Sequence, residues 1–114
     1  MMGLNFTHCE AHWSYTDFHD FRCRLAACIG MNLDHMQGFG GDTPFEDYSD
    51  DIIPLLEQPD SDTYLMPEVC QTVAVRLRQL IQNWPDDDMD KMNALYLAEG
   101  MELAHQQNEP LGFI

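Results

Sequence analysis

Basic residues are scarce in this sequence. Its 114 residues include five Lys and Arg against 20 Asp and Glu, which gives a formal net charge of −15. Nonspecific binding to DNA, RNA or anionic membranes depends on Lys and Arg, so this balance argues against all three as direct partners. No Lys or Arg occurs in the 51 residues between Arg24 and Arg76. The chain therefore carries a large excess of negative charge, and its middle part has no basic residue.

Long apolar runs and a cysteine framework are missing as well. No stretch of 18 apolar residues occurs, which predicts no membrane-spanning helix. The N-terminus shows no basic segment followed by an apolar one, which predicts no secretory signal. The four cysteines have no compact spacing, so we expect reduced structural thiols and a cytoplasmic location.

Apolar content is ordinary, at 45%, and argues against intrinsic disorder despite the charge. A chain of this length predicts one domain over residues 1–114. We expect a mainly α fold, a three-helix core with short irregular segments. At most a minor β-pairing of the terminal segments 3–8 and 111–114 should accompany it.

The helices are predicted near residues 16–29, 67–84 and 86–107. In the first, apolar residues recur at steps of three and four, and Asp20 and Arg24 have the spacing of an i, i+4 ion pair. The predicted core consists of Phe18, Phe21, Leu25, Val73, Leu77, Trp84 and Leu97. The apolar cluster at 52–56 must also be buried, as a short helix or as an extended segment.

Acidic residues are concentrated in one part of the chain. Eight acids lie between positions 42 and 62, interleaved with aromatic residues. One interpretation is a solvated surface that maintains solubility. The other is a docking surface for a basic protein, in which the rings act as anchors. The predicted partner-binding residues are Asp42, Phe45, Glu46, Asp47, Tyr48, Asp50, Asp51, Asp60 and Asp62.

A calcium site is one alternative, because residues 60–64 begin like a calcium loop with acids at the first and third places. An EF-hand loop then needs an oxygen ligand at the fifth place, Gly at the sixth and Glu at the twelfth. This chain has Tyr64, Leu65 and Gln71 there, so the match fails.

Zinc is a second metal to consider. The candidate ligands are His8, Cys9, His12, Cys23 and Cys28. Positions 23 and 28 of one helix project about 140° apart, so a single ion cannot easily reach both thiols. We therefore expect no metal ligands and no cofactor, with a metal-binding protein kept as the alternative.

No motif supports catalysis. The chain has no nucleophile elbow, no HExxH pattern and no phosphate-binding glycine loop with its lysine. We therefore expect that it is not an enzyme. A small enzyme or small-ligand-binding protein remains a second alternative, with a pocket near Trp13, Tyr15 and the loop 38–41. An anionic ligand would require convergence of the arginines, which are Arg22, Arg24, Arg76 and Arg78.

Four stretches carry a resemblance to known sequences. They are Trp13-Ser14-Tyr15 with the following Phe18, Phe21-Arg22 and Leu25-Ala26; Gly38-Phe39-Gly40-Gly41; Leu55-Leu56 with Asp60-Ser61-Asp62; and Leu97-Ala98-Glu99-Gly100-Met101-Glu102 with Pro110-Leu111. In these stretches the chain resembles small acidic accessory proteins of bacteriophages and prophages. The resemblance supplies no catalytic residues and implies action inside a bacterial cell by binding a host protein.

The resulting hypothesis is an inhibitor that occupies a basic surface of a host defence or regulatory protein. Carboxylates can take the place of nucleic-acid phosphates, because Arg and Lys clamp either group. The expected partner is therefore a basic protein, one that itself binds nucleic acid. The sequence leaves the oligomeric state open.

Overall fold

A serine cap sets the start of the first long helix. In the computed structural model, which describes residues 3–58 and 63–114, helix α1 spans Tyr15–Cys28. Ser14 is its N-cap, and the Ser14 hydroxyl accepts a hydrogen bond from the Asp17 amide. Gly30, with a φ of 74°, follows the end of the helix in the left-handed region that glycine adopts without strain.

Two further long helices form the largest packing interface of the molecule. Helix α3 spans Pro67–Ile81 and helix α4 spans Met89–Gln107. Helix α3 ends three residues before the predicted Trp84, whose amide closes a turn on the Ile81 carbonyl. Helix α4 begins later than predicted because Asp88 is its N-cap and accepts hydrogen bonds from the first amides of the helix.

The middle of the chain is folded in short pieces. Two 3-10 helices, Leu33–His35 and Phe45–Asp47, precede a single helical turn, α2, at Ile53–Leu56. Most of the apolar cluster at 52–56 is therefore helical and not extended. Ile52, just before α2, is fully buried, as are the last two residues of the turn.

Two small antiparallel sheets complete the fold. Strand β1 (Leu4–Asn5) pairs with β2 (His12–Trp13), with Leu4 opposite Trp13. Strand β3 (Thr63–Leu65) pairs with β4 (Leu111–Phe113), with Thr63 opposite Phe113. The pairing of β3 with β4 is not among the sequence predictions.

The predicted contact between the two terminal segments is present beside this second sheet. Phe6 and Phe113 form an antiparallel bridge. The Ile114 amide donates to the Asn5 carbonyl at 2.8 Å, and the Thr7 amide donates to the Gly112 carbonyl at 3.0 Å. The C-terminal strand therefore lies between β3 and the N-terminal segment.

The mainly helical fold with minor β-pairing is confirmed. All predicted core residues are buried except Trp84, which is half-buried and meets Phe21 edge to face. Trp13 and Phe21 stack at 4.6 Å between ring centroids, which ties the first small sheet to α1. Within the described residues, every helix is too short or too polar to cross a membrane.

Candidate functional site

The acids at the start of α4 are engaged in contacts that hold the fold. Asp88 accepts hydrogen bonds from Arg24, with Nη2 to Oδ2 at 2.9 Å, and Asp90 accepts one from Arg24 Nη1 at 2.8 Å. The Arg24 guanidinium also lies 3.8 Å from the centroid of the Trp84 ring. The predicted pairing of Arg24 with Asp20 is wrong, because this arginine reaches two carboxylates on another helix.

The Arg24 hydrogen bonds lower the pKa of Asp88, against a smaller opposing effect of burial. Lys91 is engaged in the same region, since its Nζ donates to the Trp84 carbonyl at 2.8 Å and to Asp86 at 2.9 Å. We define Asp86, Asp87, Asp88 and Asp90 as the α4 acidic cluster. Two of the five basic residues of the chain thus form ion pairs with three of its four acids.

A third basic residue holds one acid of the predicted partner-binding set. Arg76 Nε donates to Asp50 Oδ1 at 2.9 Å, and Arg76 Nη2 donates to Asp50 Oδ2 at 2.9 Å. The Asp50 side chain is only 14% exposed, and the same carboxylate caps the Ile52 amide at 3.0 Å. These contacts with Arg76 lower the pKa of Asp50. Asp50 therefore acts in the structure as a clamp between the loop and α3.

The remaining arginines are also engaged within the chain. Arg78 forms a two-pronged pair with Glu102 on α4. Arg22 is fully buried, donates to the Leu56 and Gln58 carbonyls, and lies against the Phe18 ring at 4.6 Å. The four arginines are thus held by separate parts of the fold and do not form a common anion site.

Residues 42–51, which we call the acidic segment, are fixed to the body of the protein at several points. The Thr43 amide donates to the His35 carbonyl at 3.0 Å, and the Phe45 ring meets Phe39 edge to face at 6.0 Å. Phe45 and Tyr48 are half-buried and pack against the core. The two rings therefore anchor the segment to its own protein and offer a partner only part of their surface.

Four acids of this segment are not held by contacts of this kind. They are Asp42, Glu46, Asp47 and Asp51, which we call the exposed acids. Within residues 3–58 and 63–114, none of the four accepts a side-chain hydrogen bond or forms an ion pair, and all are exposed. Asp60 and Asp62, the last two predicted partner-binding residues, lie outside the described residues.

The zinc site considered from the sequence is not assembled within residues 3–58 and 63–114. His8 contacts Glu109 and Thr7, and His12 contacts Asn5, so the two imidazoles are used separately. Their donor atoms and that of Cys9 belong to no three-residue cluster in the described part of the chain. The first calcium-loop acids fall outside that part. Cys23 instead lies beside His19, four residues earlier on α1.

The ligand pocket predicted near Trp13 is not formed with the glycine loop. Trp13 is buried, and its indole N–H donates to Asp90 at 3.0 Å. The adjacent hollow is bordered by residues of β2, α1 and α4, among them three aspartates. That lining disfavours an anionic ligand.

Comparisons with protein-family models, curated proteins and solved structures find no match for this chain.

Proposed function

We propose that the protein is a binding inhibitor that places its acidic segment on the basic surface of a bacterial host protein. The exposed acids would occupy the positions of nucleic-acid phosphates on that partner, which would be a defence or regulatory protein that binds nucleic acid. The acidic composition and the phage-protein resemblance suggest this class of partner. The protein would act in the cytoplasm without catalysis.

The observation that carries the proposal is the distribution of the counter-charges. Arg24, Arg76, Arg78 and Lys91 form ion pairs with acids of the same chain, and Arg22 is buried. These cations hold elements together, while none of the exposed acids forms an ion pair in the described part of the chain; Asp51 has only a longer-range attraction to Arg76. Such a set of unneutralised carboxylates attracts an Arg- or Lys-rich surface and accelerates encounter with it.

The fixed backbone of the segment strengthens the case. Association costs free energy for every side chain and loop that it must order. Here the Asp50–Arg76 clamp and the Phe45–Phe39 contact already order the backbone between the exposed acids. A partner therefore meets a largely preformed array of carboxylates, which lowers the entropic cost of binding.

The proposal can be tested with immobilised protein and a bacterial lysate at low salt. Two variants that change the net charge equally are compared with the wild type. The segment variant carries Asp42→Asn, Glu46→Gln, Asp47→Asn and Asp51→Asn. The control variant carries Glu10→Gln, Asp17→Asn, Asp87→Asn and Glu99→Gln, all at exposed positions.

We expect the wild type and the control variant to retain the same nucleic-acid-binding protein, and the segment variant to lose it. Added duplex DNA should release the partner, because DNA and the acidic segment would compete for one basic surface. Retention of no protein by the wild type, or equal retention by both variants, would refute the proposal.

A further inference from the structure

A second cluster of reactive side chains lies apart from the exposed acids. His19 and Cys23 are one turn apart on α1, and Asp34 is in the first 3-10 helix. His19 Nε2 lies 3.0 Å from Asp34 Oδ1 and 3.5 Å from Cys23 Sγ. The three donor atoms all lie within 4.8 Å of one another, the only such group of three or more among the residues that the structure describes.

The arrangement differs from that of a Cys-His-Asp catalytic triad. In a triad, one imidazole nitrogen contacts the nucleophile while the other is held by the carboxylate. Here the same nitrogen, Nε2, faces both the thiol and the carboxylate. Burial raises the pKa of the Cys23 thiol, and the Asp34 and Asp20 charges raise it further, while Arg22 lowers it. A protonated thiol is a poor nucleophile.

Two of the three donor separations are close to those of a tetrahedral metal site, and the third is below 4.8 Å. Bonds of about 2.3 Å for zinc–sulfur and about 2.0–2.2 Å for zinc–nitrogen and zinc–oxygen place neighbouring donors about 3.3–3.6 Å apart. The observed separations of 3.0 Å and 3.5 Å are within a few tenths of an ångström of that spacing. Small side-chain rotations would therefore admit an ion between the three atoms.

The surroundings hold two of the ligands in place. The His19 ring stacks on Phe39, with 6.1 Å between centroids and 24° between planes. The Asn32 side chain caps the Asp34 amide at 3.1 Å, which fixes the turn that carries the carboxylate. The His19 side chain is 36% exposed and that of Asp34 is 64% exposed, so an ion can enter from solvent.

We propose that His19, Cys23 and Asp34 bind one Zn²⁺ ion, with water in the fourth position. The mixed nitrogen, sulfur and oxygen donor set suits zinc and related late first-row metals, whereas Ca²⁺ requires oxygen ligands. The site is independent of the proposed partner. Because Phe39 contacts both His19 and Phe45, the ion would also stabilise the base of the acidic segment.

Binding at this site must release a proton. The Cys23 S–H bond breaks, the thiolate electron pair forms the bond to zinc, and the proton leaves to buffer. His19 binds as a neutral imidazole through Nε2, so its remaining proton resides on Nδ1. Affinity should therefore fall as the pH is lowered.

Co²⁺ provides a visible probe for this site. Titration of reduced, chelator-treated protein with Co²⁺ should give one equivalent of a complex with thiolate-to-metal charge-transfer absorption and strong d–d bands, both removed by added Zn²⁺. Cys23→Ser should abolish the charge-transfer absorption. His19→Gln and Asp34→Asn should each weaken Co²⁺ binding by at least ~10–100-fold. That is the loss seen when a residue that only hydrogen-bonds to a metal ligand is removed.

Cys28→Ser is the matched control, because Cys28 is an exposed thiol on the same helix and outside the cluster. It should leave the cobalt spectrum unchanged, and Zn²⁺ should raise the Tm of this control but not that of Cys23→Ser. An absent thiolate band in the wild type, the same band in Cys23→Ser, or its loss in Cys28→Ser would overturn the proposal. Circular dichroism confirms that each variant is folded.

Discussion

The acidic segment and the α4 acidic cluster are similar in sequence and different in structure. Both are short, rich in aspartate and adjacent to aromatic residues. In the α4 cluster, Arg24 and Lys91 pair with all but Asp87, and Asp88 caps the helix. In the acidic segment only Asp50 has such a partner. Most carboxylates of the α4 cluster therefore stabilise the fold, whereas most of those in the acidic segment face solvent.

This difference shows where a carboxylate is structurally necessary. An acid that accepts hydrogen bonds from arginine and from backbone amides replaces its lost water contacts, and its removal leaves those donors without their acceptor. An exposed acid without such contacts only adds to the repulsion among like charges. Adjacent aspartates in this chain differ in this respect: one accepts structural hydrogen bonds and the next is exposed without them. Substituting each of the two in turn therefore compares the two kinds of acid directly.

The largest expected effect comes from Asp88→Ala compared with Asp87→Ala. The first change removes the α4 N-cap and half of the Arg24 contact, and it should lower the free energy of unfolding by about 2 kcal/mol. The second alters an exposed neighbour and should leave stability unchanged. Urea unfolding of both variants measures the difference. Equal losses would show that the α4 cluster is not held by its specific pairs.

The acidic segment offers a similar pair in Asp50→Asn and Asp51→Asn. Loss of the Asp50 charge weakens the two-pronged contact with Arg76 and should cost about 1.5 kcal/mol. Asp51→Asn should change stability much less, because Asp51 forms no hydrogen bond to Arg76 and only a longer-range attraction to it is lost. The same urea experiment reports both values. A larger loss from the Asp51 variant would contradict the assignment of Asp50 as the clamp.

Acidification should erase the advantage that Asp50 confers. Its pKa in the folded protein is lowered from the ordinary 3.8 by Arg76, so the contribution is fully present above that value. It is lost as the pH falls through the folded pKa, because protonation then removes the charge. The stability gap between wild type and Asp50→Asn should be full at about pH 5 and smaller at about pH 3. A stability difference that grows on acidification would contradict this prediction.

Signals between near neighbours in sequence were sufficient to predict most of the helical fold. The spacing of Phe18, Phe21 and Leu25, which predicts α1, depends only on local helix geometry. The β3–β4 pairing escapes such reasoning, because the two strands are far apart in sequence and each is only three residues long.

The ion-pair partner of each charged residue also cannot be predicted from local spacing, because the partners are far apart in sequence. Arg24 has an acid at the ideal local spacing, yet two carboxylates near Trp84 provide a better-shielded site. Asp50 and Asp51 are indistinguishable in sequence until α3 brings Arg76 to one of them. The His19–Cys23 spacing was visible on a predicted helix, but Asp34 joins it only through the turn that follows α1.

We propose that the exposed acids form a specific docking surface and are not merely part of a uniform negative charge. The most direct measurement is the affinity of a fluorescent arginine-rich peptide for folded wild type, segment variant and control variant at physiological salt. Both variants carry four fewer negative charges. We expect the segment variant to bind at least about tenfold more weakly, equivalent to about 1.4 kcal/mol, and the control variant to lose much less affinity. Equal losses in the two variants would contradict it.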